Sequence, residues 1–337
     1  MSLAPSLSVT LGNLRYDTHA LAMEACLALL PRGSSFEVRL PANARFEAAP
    51  GDDAELKADG GEGSELVLKG KVQRLQRDVR GINVIAADAA ADLATFRPTA
   101  TYEKQSAADV IRALAGEVQA SVSDMDLDLP LPAYVAVPAR TAAEQIAELA
   151  RLGGCIARVD AEGRLSVIAR PTEATVALKY AREFLDYRVT ENPSRNPRRF
   201  AVGFGPAGSA SAPNALRQTT DFLPSTSADG GVDVLRPSFA MLRTPGAASD
   251  ASTALQTAAA ARTKRLRATC FLLPTLQPGA VIEVQELPDG LNEGPWLVTC
   301  VVHRLRPASG GATVIQAESA DTSSLLGSLL SAIGGLL

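Results

Sequence analysis

A chain of 337 residues, 46% of them apolar, has material for two or three packed domains, and its net charge of −4 supplies no field that would gather nucleic acid or an anionic membrane. Two histidines, His19 and His303, and four scattered cysteines, Cys26, Cys155, Cys270 and Cys300, give no zinc ribbon, CxxC pair or histidine-rich metal site. The cysteines read as buried, reduced thiols, which fits synthesis in a reducing cytosol.

The opening MSLAPSLSVTL has neither the basic start nor the long apolar stretch of a secretion signal, so the chain is expected to be made in the cytoplasm without one. Residues 1–98 read as a β domain. SLSVTLGNL alternates apolar and polar positions, and in SFEVRL Val38 and Leu40 face one way, Glu37 and Arg39 the other. Pro50-Gly51-Asp52 marks a turn, and two further strands flank Arg80-Gly81. Short strands of period two predict an antiparallel barrel or sandwich.

Residues 99–178 change character and repeat internally. Ser106-Ala-Ala-Asp109 with Ile111 and Leu114 recurs as Thr141-Ala-Ala-Glu144 with Ile146 and Leu149. Each copy opens with a capping box, in which the hydroxyl accepts the third helical amide and the acid reaches back to the cap amide. Gly153-Gly154 ends the second helix, and CIARVDAEGRLSVIAR follows as a hairpin turning at Glu162-Gly163. This stretch predicts a small α/β insert.

Residues 179–320 return to strands at EFLDYRVTEN and RRFAVGFG. Residues 206–252 read as loops, with an extended piece at VDVLRPSFAML. ASTALQTAAAARTKRLRAT predicts a helix whose cationic end suits the negative pole of its dipole. A second antiparallel β region then turns at Pro278-Gly279, Asp289-Gly290, Glu293-Gly294 and Ser309-Gly310-Gly311. Residues 321–337 form an apolar tail, SLLGSLLSAIGGLL, too short to span a bilayer, so no stable membrane insertion is expected.

Candidate chemistry reduces to ordinary structure. Gly203-Phe-Gly205-Pro-Ala-Gly208 matches a dinucleotide-binding spacing, but Pro206 lies inside it and no helix pattern follows, so it reads as a loop. Asp124, Asp126 and Asp128 lack the glycine of a calcium loop and read as a solvated acidic face. No GxSxG elbow accompanies either histidine. Arg195, Arg198 and Arg199 form a basic loop. No catalytic residue, cofactor site or metal site is expected, nor direct nucleic-acid recognition.

The order of these elements carries more than any one of them. FEAAPGDDAELKAD, then LVLKGKVQRLQRDVRGINVIAADAAADL, then TYEKQSAADVIRALAGE, resembles the phage late control protein D family, which includes contractile-phage hubs and the N-terminal part of VgrG spike proteins. The Ala-rich helix, Leu276-Gln-Pro278-Gly279 and Trp296-Leu-Val298-Thr299-x-Val301-x-His303 resemble its closing barrel, and the likeness covers most of residues 5–320. The resemblance implies a mainly β chain, with two tail-tube-like antiparallel β-barrels flanking a small α/β insert. It further implies a homotrimeric, non-enzymatic baseplate hub of a phage tail, pyocin-like particle or extracellular injection system. Such a hub adapts a sixfold tail tube above to a separate threefold spike below, among other baseplate proteins. The chain ends soon after the second barrel, which sets it apart from VgrG and favours a separate spike. Contacts with partners are expected at Phe46, Pro50, Gly51 and Asp52, at Arg198 and Arg199, at Trp296 and His303, and in the tail at Leu325, Leu326, Leu329 and Leu330. The competing readings are a tail-associated peptidoglycan hydrolase and a generic β-rich adaptor outside any tail.

Overall fold

The computed structural model describes residues 5–17, 20–192, 198–199, 201–203, 234–235, 237–287, 293–306 and 310–321. The expected fold class is the one observed: mainly β, with two antiparallel barrel modules and an α+β insert.

The first module comprises β1 (Ser6–Leu11), β2 (Leu14–Tyr16), β3 (Ala22–Ala28), β4 (Ser35–Leu40), β5 (Asp53–Asp59), the long β6 (Ser64–Asp78) and β7 (Gly81–Ala87). Period-two burial aligns them. Val9 and Leu11, Met23, Ala25 and Leu27, Phe36, Val38 and Leu40, and Val84 and Ala86 all face the core, with polar residues between them. A short α1 (Ala90–Thr95), read as strand from the sequence, follows the module instead. Asp88 fixes this corner: its carboxylate accepts Ala90 N at 2.9 Å and Ser34 N at 3.2 Å. Burial pushes the Asp88 carboxyl up to about 6, partly offset by the hydrogen bonds from Ser34 and Ala90.

The insert contains β8 (Thr101–Ser106), α2 (Ala107–Glu117), β9 (Val122–Met125), β10 (Pro130–Val135), α3 (Ala142–Leu152), β11 (Cys155–Val159) and β12 (Leu165–Ala169). Both repeated capping boxes form as read, Asp109 N to Ser106 Oγ at 3.1 Å and Glu144 N to Thr141 Oγ1 at 3.3 Å, each cap contributing about 1 kcal/mol. Ile111 and Leu114, and Ile146 and Leu149, then meet in one core. The acidic run is not one strand. It breaks between β9 and β10, where Leu127 and Leu129 are buried while Asp124, Asp126 and Asp128 stay exposed.

The second module comprises β13 (Val176–Lys179), β14 (Phe184–Glu191), the short pair β15 (Arg198–Arg199) and β16 (Val234–Leu235), α4 (Pro245–Ala261), β17 (Lys264–Phe271), β18 (Val281–Gln285), β19 (Glu293–Arg306) and β20 (Gly310–Ser319). One expectation is corrected here: the helix stops at Ala261, and KRLRATCF is a strand. Leu266, Ala268 and Cys270 alternate into the core, and β14 and β20 hydrogen-bond the segment on both sides, so sheet pairing overrides helix propensity. Helix α4 packs through Ala247, Ala251 and Leu255 into the core of the insert.

The two modules share one topology. Strands β3, β4, β5, β6 and β7 lie in the spatial order β3-β4-β7-β6-β5, and β14, β17, β18, β19 and β20 lie in the order β14-β17-β20-β19-β18. The register agrees at residue level. A bulge interrupts β6–β7 pairing between Val72 and Arg74, and another interrupts β19–β20 pairing between Val298 and Cys300. Gly51 N donates to Val72 O and Val72 N to Asp52 O, both at 2.8 Å. Gly279 N donates to Val298 O at 2.8 Å, and Val298 N to Ala280 O at 2.9 Å. Gly51 (φ +96°) and Gly279 (φ +90°) occupy the same left-handed turn position, which a side chain would strain.

Candidate functional site

The best-defined structural feature of the chain is the seam between the modules. Strand β19 pairs with β20 on one side and, from Cys300 to Leu305, with β3 on the other. Thirteen strands thereby join into one sheet across the module boundary. The seam register sets Val302 against Cys26, His303 against Ala25, Arg304 against Glu24 and Leu305 against Met23. On the outer face the Arg304 guanidinium meets the Glu24 carboxylate at 3.1 Å. Toward the core, Leu305, Val301, Leu27 and Met23 are buried in one cluster that spans both modules. Gln277 Nε2 adds a bond to Val67 O at 3.1 Å, and Leu29 N one to Thr299 O at 3.2 Å. The seam is thus a main-chain ladder with an apolar inner face and one ion pair outside.

The insert grips both modules through its β11–β12 hairpin. Arg158 Nη1 donates to Pro278 O at 2.8 Å, and Lys69 N donates to Ala161 O at 2.8 Å. The insert therefore covers the Pro278-Gly279 turn, with Arg158 against Gly279, while the Gly51 turn has open space around it. Equivalent turns thus differ in access.

Of the expected contact residues, Phe46 stacks on Tyr16 and carries the Arg77 guanidinium over its ring at 5.3 Å. Pro50 and Gly51 are exposed, and Asp52 folds its carboxylate back onto Ala49 N at 2.8 Å. Arg199 is half-buried and its amide donates to Gln256 Oε1 at 2.9 Å, while Arg198 pairs with Val234 in the ladder. Trp296 and His303 are corrected: at 1% and 0% exposure they are core residues of the second module and offer no side-chain surface to a partner. Leu325, Leu326, Leu329 and Leu330, His19, Arg195 and the Phe204–Gly208 part of the glycine spacing lie outside the described residues.

His303 shows what its burial does. Nδ1 lies 2.9 Å from Thr313 Oγ1, and burial pulls the imidazole down to about 4, partly offset by the Leu276 backbone. An unfolded histidine titrates near 6.5, so between about pH 6.5 and 4 the unfolded chain binds the extra proton and stability falls as pH drops. His303→Gln is expected to flatten that part of the profile. Urea midpoints measured between about pH 7 and 5 check it, and an unchanged pH slope in the variant rejects the assignment.

A cleft of about 1320 Å³ lies between α3 and α4 of the insert side and the outer face of β14, β17 and β20. Arginines enter it from both walls, among them Arg151, Arg188 and Arg262, and ion pairs offset part of that charge: Arg140–Glu148 at 2.8 Å and Arg170–Glu318 at 2.9 Å. All four cysteines are free thiols, and Cys26 is partly exposed rather than buried. Contact with Cys300 lowers the Cys26 thiol to about 6 and raises that of Cys300. Among the described residues no group of three or more His, Cys, Asp or Glu could hold a metal ion, and no helix is long and apolar enough to cross a membrane.

Glu24, Arg304 and Gln277, which make the seam, were not distinguished in the sequence. The one signal available was the recurrence of Pro-Gly at positions 50–51 and 278–279 at corresponding points of two β regions.

No family profile and no curated protein matches the sequence. Solved structures do share the fold. A 43 kDa tail protein of prophage MuSo2 from Shewanella oneidensis superposes with a TM-score of 0.69 at 15% identity, over 94% of this chain and 99% of its own. A tail protein from Neisseria meningitidis gives 0.70 at 14% identity, over 94% and 96%. The E. coli c3393 protein, a type VI secretion component described as similar to T4 tail proteins gp27 and gp5, gives 0.62 at 11% identity, over 92% and 76%.

Proposed function

We propose that this chain, which has the fold of phage tail proteins, is a non-enzymatic baseplate hub that works as a homotrimer and matches a sixfold tail tube to a threefold spike. The duplicated module carries the reading. Two equivalent modules per chain, in three copies, offer six like positions around an axis while the whole keeps threefold symmetry. We assign residues 1–98 and 179–320 to the barrel modules, 99–178 to the insert and 321–337 to a tail that docks on a separate spike. The Phe46–Asp52 turn, open in the first module, is a contact toward neighbouring tail components.

The continuous ladder of β3 and β19 supports this role. A hub must transmit load between positions of the ring, and backbone hydrogen bonds across a module boundary hold its angle better than a linker does.

Light scattering and negative-stain microscopy of the purified chain test the proposal. The expected particle has three times the 35.1 kDa mass of one chain and a threefold ring seen end-on, capped when spike protein is added. A chain that stays single at high concentration, both alone and with tube and spike proteins, overturns it.

A further inference from the structure

The shared topology makes the seam inside the chain a template for a seam between chains. In the second module, the stretch of β19 beyond its bulge has β20 on one edge and β3 on the other. The same stretch of β6, Arg74–Asp78, has β7 on one edge, and among the described residues no strand on the other. The counterpart of β3 is β14, which pairs with β17 and has no second strand partner among the described residues. Among the described residues one chain therefore carries both halves of an unpaired seam: β14 at one end of the sheet, and the far half of β6, past the stretch that pairs with β5.

We propose that β14 of one copy pairs antiparallel with the free edge of β6 in the next, in the register that β3 and β19 use within the chain. This rests on the trimeric hub reading and names the contact that closes it. Matching the bulges and the β3–β4 and β14–β17 ladders carries Cys300 to Arg74, Val302 to Gln76 and Arg304 to Asp78. It likewise carries Glu24 to Arg188, Cys26 to Thr190 and Met23 to Tyr187. The seam then sets Asp78 against Arg188 of the neighbouring copy, Gln76 against Thr190 and Val79 against Tyr187.

Three observations fit this occupant. The ion pair Arg304–Glu24 reappears as Asp78–Arg188 with its polarity inverted, so the two seams are both complementary yet distinct. Asp78 and Arg188 are exposed, and Asp78 Oδ1 accepts Arg80 N at 2.7 Å and Gly81 N at 3.0 Å in the β6–β7 turn, so a neighbour's guanidinium would meet the Oδ2 side of that carboxylate. Val79 is 95% exposed at the end of β6, where its counterpart Leu305 is fully buried under β3. An open strand edge of this kind invites another strand. A head-to-tail contact of this kind closes into a ring when every seam repeats one step, a sixth of a turn for six positions, and otherwise grows into an open filament.

The test is a charge swap read by concentration-dependent light scattering. Asp78→Arg and Arg188→Asp are each expected to weaken self-association on the order of tenfold or more, because like charges then face each other. The double variant, which restores a complementary pair, is expected to recover most of that loss. Asp78→Arg also removes the bonds that Arg80 N and Gly81 N donate to the carboxylate, so circular dichroism is read beside scattering, and recovery in the double variant separates the lost charge pair from a loosened turn. In addition, Gln76→Cys with Thr190→Cys should give a disulfide between chains on oxidation that neither single variant gives. Unchanged association in both charge variants, with no such cross-link, overturns this register and leaves the hub reading standing. A parent chain that never associates, even with its tube and spike, overturns both.

Discussion

Replacing Trp296 with alanine is expected to cost about 3–5 kcal/mol, the range for removing a fully buried large aromatic. Trp296 is 1% exposed and lies where β18, β19 and β20 converge, opposite Ile282 on one strand and Ser319 on the other. It belongs to the core cluster that runs through both modules, and the Lys264 ammonium lies 5.5 Å from its ring centroid. Collapse into the space would have to drag three hydrogen-bonded strands together, so most of the cavity should persist. Urea unfolding reads the outcome: the midpoint should fall with little change in slope. A loss below about 1 kcal/mol means that the ring is not a packing centre of the module.

Gln145→Leu is expected to cost about 3 kcal/mol although it keeps the volume and adds apolar surface. Gln145 is fully buried on α3 and has all its hydrogen-bonding capacity in use. Its Oε1 accepts Tyr134 Oη at 2.8 Å and Val137 N at 3.0 Å, and its Nε2 donates to Val137 O and Arg140 O, both at 3.1 Å. The side chain thus pins the loop between β10 and α3. Leucine strands three polar groups, Tyr134 Oη, Val137 N and Arg140 O, while Val137 O keeps its bond from Arg140 N at 2.9 Å; part of the penalty is relieved only if the loop opens to water. Faster amide exchange confined to residues 136–140, together with a lower urea midpoint, is the expected signature. A variant as stable as the parent, with that loop still protected, counts against this account.

Local chemistry was legible wherever a short signal decides the structure. The boxes at Ser106 and Thr141, the turn at Gly163 and the alternation of Val38 and Leu40 with Glu37 and Arg39 all lead from sequence to structure in one step. Lys264–Phe271 was not legible as a strand, because its neighbours β14 and β20 lie far along the chain and they, rather than the segment's own propensity, settle its state. The seam failed for a related reason. A main-chain ladder between Ala28 and Cys300 leaves little trace in residue type, and its ion pair joins positions 24 and 304. His303 and Trp296 drew notice through the motif that resembles a closing barrel and were expected at contacts, yet both are core positions here.

The continuity of the sheet from β3 to β19 bears on how such a chain diverges. Amide and carbonyl groups are the same whatever side chain they carry, so a boundary held by them survives almost any drift of residues around it. Side chains at the join need only stay compatible with their opposite numbers, and can exchange acid for base as a pair. Lineages can therefore inherit the angle between modules long after their sequences have lost recognisable kinship.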